Sequence, residues 1–319
     1  MVRQGLGTNG KITLQTSEDA NFGSLLERPM QKSFLFLCAF FLTACSTPVT
    51  PTVVPTAAPI APTVAPTSAA PKTLIVAHRG GAALAPENTL AAFANALKLG
   101  VDMVECDVHL SKDGELIVMH DFTVSRTTNG IGEIRELTLA ELKQLNAAAK
   151  FVGGSFPAQP VPTLDEVLDL IKGKAGIQIE IKLAGNARYP GIEKKVIDAV
   201  NSRGMTNDVI VISFDFPTLK DVKAIDSRIT TGALVRADWF MLRTPEKSVT
   251  DAIEQTGADY FMPTASPVNQ AIVDAAHARR IKMGVWTVNV ASEMERYAGF
   301  GIDAITSDRP DELKKILGR

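Results

Sequence analysis

The chain has 319 residues, 45% of them hydrophobic and 21% charged, and carries a net charge of −2. That is the composition of an ordinary soluble globule, long enough for one large α/β domain plus additional segments. The charge balance excludes broad electrostatic capture of nucleic acid, so any anionic ligand must be held by a local site.

The first recognisable segment begins at Met30-Gln31-Lys32-Ser33 and continues as an apolar run, Phe34 to Cys45. A short cationic start, an apolar stretch and small residues at its end read as a secretory signal. The run falls short of the ~20 apolar residues of a comfortable membrane span. Its end, Leu42-Thr43-Ala44-Cys45, resembles a bacterial lipobox, which implies cleavage before Cys45 and a lipid on that residue. Residues 1–29 precede a normal signal start, so Met30 is the expected initiator and 1–45 an extension plus lipoprotein signal peptide. Residues 46–71 are nearly all Pro, Thr, Ala and Val. Such a stretch cannot pack a core and favours extended polyproline II. Fully extended it reaches ~80 Å, a stalk between a membrane and a folded domain. The expected location is the cell envelope, outside the cytoplasm, with a lipid anchor in a bacterial membrane.

The folded domain is expected over 72–319, where strands and helices alternate. A strand over 73–80 leads to a helix over 90–100, with Leu90, Phe93 and Leu97 on one face and Gly100 as its stop. A strand over 103–110 turns through Ser111-Lys112-Asp113-Gly114 into a short strand over 114–121. Helices over 137–145 and 163–173 and a strand over 176–182 follow. Five more strands are predicted at 208–214, 231–235, 260–264, 281–288 and 304–307. Helices near 192–202, 217–225, 247–256, 267–279 and 292–299 separate them, and one more ends the chain. Eight main strands, each followed by a helix, imply a parallel sheet, and roughly 245 residues suit a (β/α)8 TIM barrel. A doubly wound open sheet is the alternative.

In a barrel the active site lies at the C-terminal ends of the strands, and polar residues gather there. His78 and Arg79 end the first strand. Glu105 and Asp107 are two apart on the second and share a face, which His109 continues. His120 and Asp121 end the short extra strand. Glu180 and Lys182 are two apart on the next, and Asp303 and Asp308 bracket the last. Buried charges are costly unless they pair or bind a metal. Glu105, Asp107 and Glu180 form an oxygen-only set suited to Mg2+ or Ca2+. His78 and His120 suit acid/base work near neutral pH. Arg79 and Lys182 supply fixed positive charge, and the whole fits attack on a phosphodiester. Gly80 and Gly81 are expected to let backbone and ligand approach closely. Asn88 or Thr89 is expected to cap the next helix, and Glu87 to brace the loop. His277 reads as a surface residue. The cysteines Cys38, Cys45 and Cys106 form neither a disulfide framework nor a zinc spacing. Cys106, between two inward carboxylates, should point outward and pack as a small apolar residue.

The stretches "HRGGAALAPENTLAAF", "GVDMVECDVHLSKDGELIVMHD" and "SRTTNGIGEI" closely resemble the glycerophosphodiester phosphodiesterase family. "IQIEIK", "VISFD", "VWTVN" and "GIDAITSDRP" match its later landmarks in the same order. The resemblance covers the chain from about Leu74 to its end. It implies a TIM barrel with a short insertion after the second strand, here about 122–160. It implies hydrolysis of glycerophosphodiesters to sn-glycerol 3-phosphate and an alcohol, with one divalent metal ion, Ca2+ or Mg2+. By motif, His78 and His120 are the acid/base pair, and Arg79 and Lys182 contact phosphate. Glu105, Asp107 and Glu180 hold the metal, and Trp286 lines the mouth against substrate. One departure is Ser307 before Asp308, where many members place Thr; it is expected to touch the barrel's end and not the chemistry. Lysophospholipase D action is the near alternative, and a tethered glycerophosphodiester-binding lipoprotein the distant one. The expected partners are a small diester and, through the anchor, a membrane; no nucleic acid or protein partner is implied.

Overall fold

The computed structural model describes residues 72–319; the signal segment, Met30, Cys45 and the 46–71 stretch lie outside the described residues. The alternation opens with β1 (Leu74–Ala77), α1 (Leu90–Leu99), β2 (Met103–Leu110), β3 (Leu116–Val118), α2 (Leu139–Leu142) and α3 (Leu164–Ile171). It continues through β4 (Gly176–Ile181), α4 (Ile192–Ser202), β5 (Val209–Ser213), α5 (Phe216–Ile225), β6 (Thr230–Val235) and α6 (Pro245–Thr256). It ends with β7 (Tyr260–Pro263), α7 (Gln270–His277), β8 (Lys282–Val285), α8 (Ala291–Gly299), β9 (Ala304–Ser307) and α9 (Pro310–Ile316). All strands but β3 run parallel, and β1 pairs with both β9 and β2, so the sheet closes. Closure makes this a (β/α)8 barrel and excludes the open sheet. β3 lies antiparallel on the end of β2 and opens the insertion.

The strands read as near-continuous apolar runs because both faces are covered, as parallel sheets require. Val76, Met103, Ile210, Ile212, Leu234, Tyr260 and Met262 pack inside the barrel. Met262 reaches the axis only because two neighbouring strands carry glycine there. A Cβ on Gly232 would lie 2.4 Å from its Sδ, and one on Gly284 2.8 Å from its Cε. The alternate residues, among them Ile179, Val211 and Cys106, face outward into the larger core beneath the helices. Each large side chain buried there, Phe93 for example, contributes about 2 kcal/mol. Cys106 is where the alternation of β2 predicts it.

Helix starts are set locally. The Thr89 side chain accepts a hydrogen bond from Ala92 N–H and caps α1, and Gly100 closes that helix in a left-handed conformation. Thr163 and Glu166 form a capping box at the start of α3. Several predicted elements are shorter than expected. The 137–145 helix is only α2, and the 114–121 strand only β3, because the insertion folds around its own small core. Ile117, Met119, Val124, Ile134 and Leu142 make up most of it. The first strand stops at Ala77, where His78–Gly80 form a 3-10 turn. Among the described residues no helix is long and apolar enough to cross a membrane.

Candidate active site

The turn after β1 carries the first part of the site. Arg79 has φ 51°, a left-handed conformation costly for a residue with a Cβ. In exchange its N–H donates to Glu105 Oε2 at 2.8 Å and its guanidinium bonds Glu87 Oε1 at 3.0 Å. Gly80 and Gly81 also have positive φ, and they permit a close approach to protein. A Cβ on Gly80 would lie 2.7 Å from Ala92 Cβ, and one on Gly81 3.2 Å from Pro310 Cγ.

His78 Nδ1–H donates to Asp308 Oδ1 at 2.6 Å, and Asn289 Nδ2 holds the other oxygen of Asp308 at 2.6 Å. Burial opposes a charged imidazole, but the Asp308 hydrogen bond and the charge of Glu105 outweigh it, and the His78 pKa is raised. Asp308 thus contacts the first imidazole, and the residue before it supports that contact: Ser307 Oγ bonds Asn289, which in turn accepts from Asp308 N–H. Asp303 belongs to the opposite end of β9. There it accepts from Met283 N–H and meets His277 Nε2 at 2.8 Å, so His277 is a paired residue remote from the mouth.

Glu105, Asp107 and Glu180 face inward from neighbouring strands, all buried, with one oxygen of each within 4.8 Å of the others. Burial and the Asp107 charge push Glu105 well above the ordinary carboxylate range. Burial likewise raises Glu180 against the pull of Lys182. Asp107 goes the other way: burial opposes its charge, but Lys182 and Arg79 overcome that and hold it ionised. Lys182 Nζ lies 2.8 Å from Glu180 Oε1 and 3.3 Å from Asp107 Oδ1. Three buried carboxylates therefore face two fixed cations, which leaves one negative charge uncompensated. A bound cation, or a proton on Glu105, resolves it. The all-oxygen donor set fits a hard divalent ion.

Thr89 is the helix cap, and Asn88 has a different task. Its Nδ2 donates to Asp107 Oδ2 at 2.8 Å and its Oδ1 accepts from Asp107 N–H at 3.4 Å, which fixes the carboxylate. The end of the short strand β3 leads to the second imidazole. His120 Nδ1–H donates to Asp121 Oδ1 at 2.7 Å. Burial lowers the His120 pKa, Lys182 and Arg79 lower it further, and the attraction of Asp107 does not make up the difference. Arg126 shares Asp121, bonding it at 2.7 Å, and also grips Glu87 at 2.6 Å, so Glu87 braces the loop as expected. His109 lies beneath, outside the cavity. The His120 carbonyl can only accept, so His109 Nε2–H donates to it at 3.2 Å, and Nδ1 accepts from Tyr189 at 3.0 Å. Burial depresses His109 to about 4, and it acts as a neutral prop.

The cavity between these groups has a volume of about 190 Å³. One wall is polar, with His78, Arg79, His120 and Lys182; the other is apolar, with Ile212, Phe214, Leu234 and Trp286. Trp286 lines the mouth as predicted, held by Nε1–H to Met262 O at 2.8 Å and edge-on to Phe214 at 5.3 Å. Arg236 stands over the Phe214 ring at 4.3 Å. All eight predicted residues of the folded domain thus converge: His78, Arg79, Glu105, His120, Glu180, Lys182 and Trp286 line the cavity, and Asp107 is bonded to its cations. The sequence does not reveal the contacts that Asp308, Asn88, Asp121 and Arg126 make in the site. For Asp308 a signal existed: Ala304, Thr306 and Asp308 continue the inward alternation of β9.

The model of the glycerophosphoryl diester phosphodiesterase family matches residues 78–312. A glycerophosphodiester phosphodiesterase of Caldanaerobacter subterraneus subsp. tengcongensis is 39% identical over 251 residues, covering 77% of this chain and 98% of that protein. A crystal structure of glycerophosphodiester phosphodiesterase from Agrobacterium tumefaciens is 29% identical with a TM-score of 0.65, covering 76% of this chain and 99% of that one. An Oleispira antarctica phosphodiesterase in complex with the product sn-glycerol-3-phosphate is 28% identical with a TM-score of 0.65, covering 77% and 97%. With the family match spanning the barrel from the first site histidine into the last helix, the chain is an enzyme of the glycerophosphoryl diester phosphodiesterase family.

Proposed function

We propose that the chain hydrolyses glycerophosphodiesters to sn-glycerol 3-phosphate and an alcohol, with a divalent cation held by Glu105, Asp107 and Glu180. The observation that carries this reading is the pair of imidazoles flanking one small cavity. Each has Nδ1 tied to its own carboxylate, at 2.6 Å for His78 and 2.7 Å for His120, and each keeps Nε2 uncommitted. A bound Mg2+ or Ca2+ supplies Lewis acidity toward the phosphoryl oxygens. Arg79 and Lys182 orient the anion beside it.

The two imidazoles sit in environments that push their pKa values apart, which separates an acid from a base. His120, held toward the neutral form, takes the proton of the oxygen attacking phosphorus. His78, held toward the charged form, gives its proton to the departing alcohol oxygen as the P–O bond breaks. Asp308 and Asp121 fix the two rings.

The test is turnover by the purified full chain. Glycerophosphocholine and lysophosphatidylcholine are incubated with EDTA, Mg2+ or Ca2+, while glycerol 3-phosphate, lysophosphatidate and choline are followed. Glycerol 3-phosphate from the soluble diester, lost with EDTA, is the expected result. Choline from the acylated substrate alone would move the reading to lysophospholipase D. Binding without turnover would favour a tethered binder.

We also propose that the enzyme works outside the cytoplasm on a lipid anchor at Cys45. The lipobox-like Leu42-Thr43-Ala44-Cys45 and the Pro/Thr/Ala-rich 46–71 support this. Mass spectrometry of the mature N terminus tests it; a chain that begins before Cys45, or an unmodified Cys45, counts against it.

A further inference from the structure

The inward face of β4 reads Gln178, Glu180, Lys182, and all three line the cavity. Lys182 and Glu180 have partners. Gln178 has no exposed surface, and neither its Nε2 nor its Oε1 has a hydrogen-bond partner. Across the barrel the Thr306 side chain, 3% exposed and lining the same cavity, has an unpartnered hydroxyl as well. Buried polar groups are almost always satisfied, so an amide and a hydroxyl left open toward one cavity mark a place where something binds. Both lie one inward layer below the charged ring: Gln178 two residues before Glu180, Thr306 two before Asp308. That is roughly 7 Å along a strand.

The chemistry of these groups selects the ligand atom. A carboxamide offers one donating and one accepting end, and a threonine hydroxyl does both. An anion needs donors only and would be repelled by Glu105 and Glu180. A cation is better served by the carboxylates above. A neutral alcohol hydroxyl, itself donor and acceptor, satisfies the amide on both sides. With phosphorus held among Arg79, Lys182 and the imidazoles, a three-carbon chain descending into the barrel brings its hydroxyls to this depth. We propose that Gln178, supported by Thr306, recognises a free hydroxyl of the glyceryl moiety and is the residue that makes the enzyme select glyceryl diesters. The proposal rests on the functional reading above and adds the group that reads the alcohol on the product side.

The test uses the full chain with glycerophosphocholine and two analogues, each with one free glyceryl hydroxyl replaced by hydrogen. Wild type is expected to lose about 10²-fold in kcat/KM on at least one analogue, since a site built to bond a hydroxyl rejects a substrate that lacks it. Gln178→Met, apolar and similar in length, should lose about as much on glycerophosphocholine and nothing further on that analogue. Equal losses on all substrates would overturn the proposal, because a structural or water-holding amide does not sense the analogue. Wild type that turns over all three alike would overturn it as well. Should Gln178→Met fail to fold, Thr306→Val and the wild-type comparison decide. If wild type turns over no glyceryl diester, the functional reading fails, and the floor is then judged by calorimetry. Glycerol 3-phosphate should bind at least about 10-fold tighter than the deoxy phosphate that lacks the recognised hydroxyl, and equal affinities would sink the proposal.

Discussion

Asp308 Oδ1 lies 2.6 Å from His78 Nδ1, a contact between residues 230 positions apart that exists only because β9 returns beside β1. Barrel closure is therefore a condition of this contact. The carboxylate both sets the tautomer of His78 and raises its pKa against the effect of burial. Asp308→Asn should lower kcat about 10²-fold, the usual size of an acid/base effect. The sign of the pH effect follows. If His78 is the acid, activity falls as pH rises through its pKa. Without the Asp308 charge that pKa drops, so the alkaline limb of kcat/KM should move to lower pH. A pH–rate profile of the variant with an unmoved alkaline limb would count against this role.

Glu105 resists ionisation, through burial and the adjacent Asp107 charge. A metal ligand must be deprotonated, so cation binding should expel its proton. Affinity for Mg2+ or Ca2+ should then rise from mildly acidic to mildly alkaline pH. Calorimetry in buffers of different ionisation enthalpy should show proton release. Glu105→Gln should reduce the release and weaken binding at least about 10-fold. Proton release that persists unchanged in that variant would place the proton elsewhere.

Gly80 packs without a side chain against α1. A Cβ there would lie 2.7 Å from Ala92 Cβ and 2.9 Å from the Ala92 carbonyl carbon, at φ +84°. Backbone carbon cannot swing away as a flexible side chain would. Gly80→Ala should cost about 2 kcal/mol or more, combining overpacking with a disfavoured backbone conformation. Urea unfolding measures this, and a variant as stable as wild type would show that α1 yields easily.

The parts of this site that strand periodicity determines were legible in advance. Glu105 with Asp107, and Glu180 with Lys182, follow from a two-residue repeat that holds whatever the partner strands are. The placement of Cys106 on the outer face is the same argument. What periodicity does not carry is contact across loops. Asn88 reaches Asp107 because the turn after β1 folds back over the strand end, and Arg126 reaches Glu87 from the insertion, 39 positions away. Both depend on backbone paths that no local repeat encodes. Asp303 and Asp308 looked equivalent as brackets of β9, yet the direction of a strand puts one at the mouth and the other at the base. The helix of the insertion is shorter than its sequence pattern for a related reason. Its small core stops α2 after a single turn, an effect of packing and not of propensity.

Arg126 offers a test of the opposite imidazole. It takes up the charge of Asp121 through bonds to both oxygens, and so limits how far Asp121 can stabilise a protonated His120. Its side chain is 45% exposed, so its removal leaves no cavity in a core. Arg126→Ala frees the Asp121 charge for His120 and should raise the His120 pKa. A base must be neutral to act, and it loses activity as pH falls through its pKa. The acidic limb of kcat/KM should therefore move to higher pH, while the alkaline limb stays where wild type has it. Movement of the alkaline limb instead would reverse the roles of His78 and His120. Together with Asp308→Asn, which should move only the alkaline limb, the two variants assign both protons from the same kind of measurement. They do so without touching either imidazole.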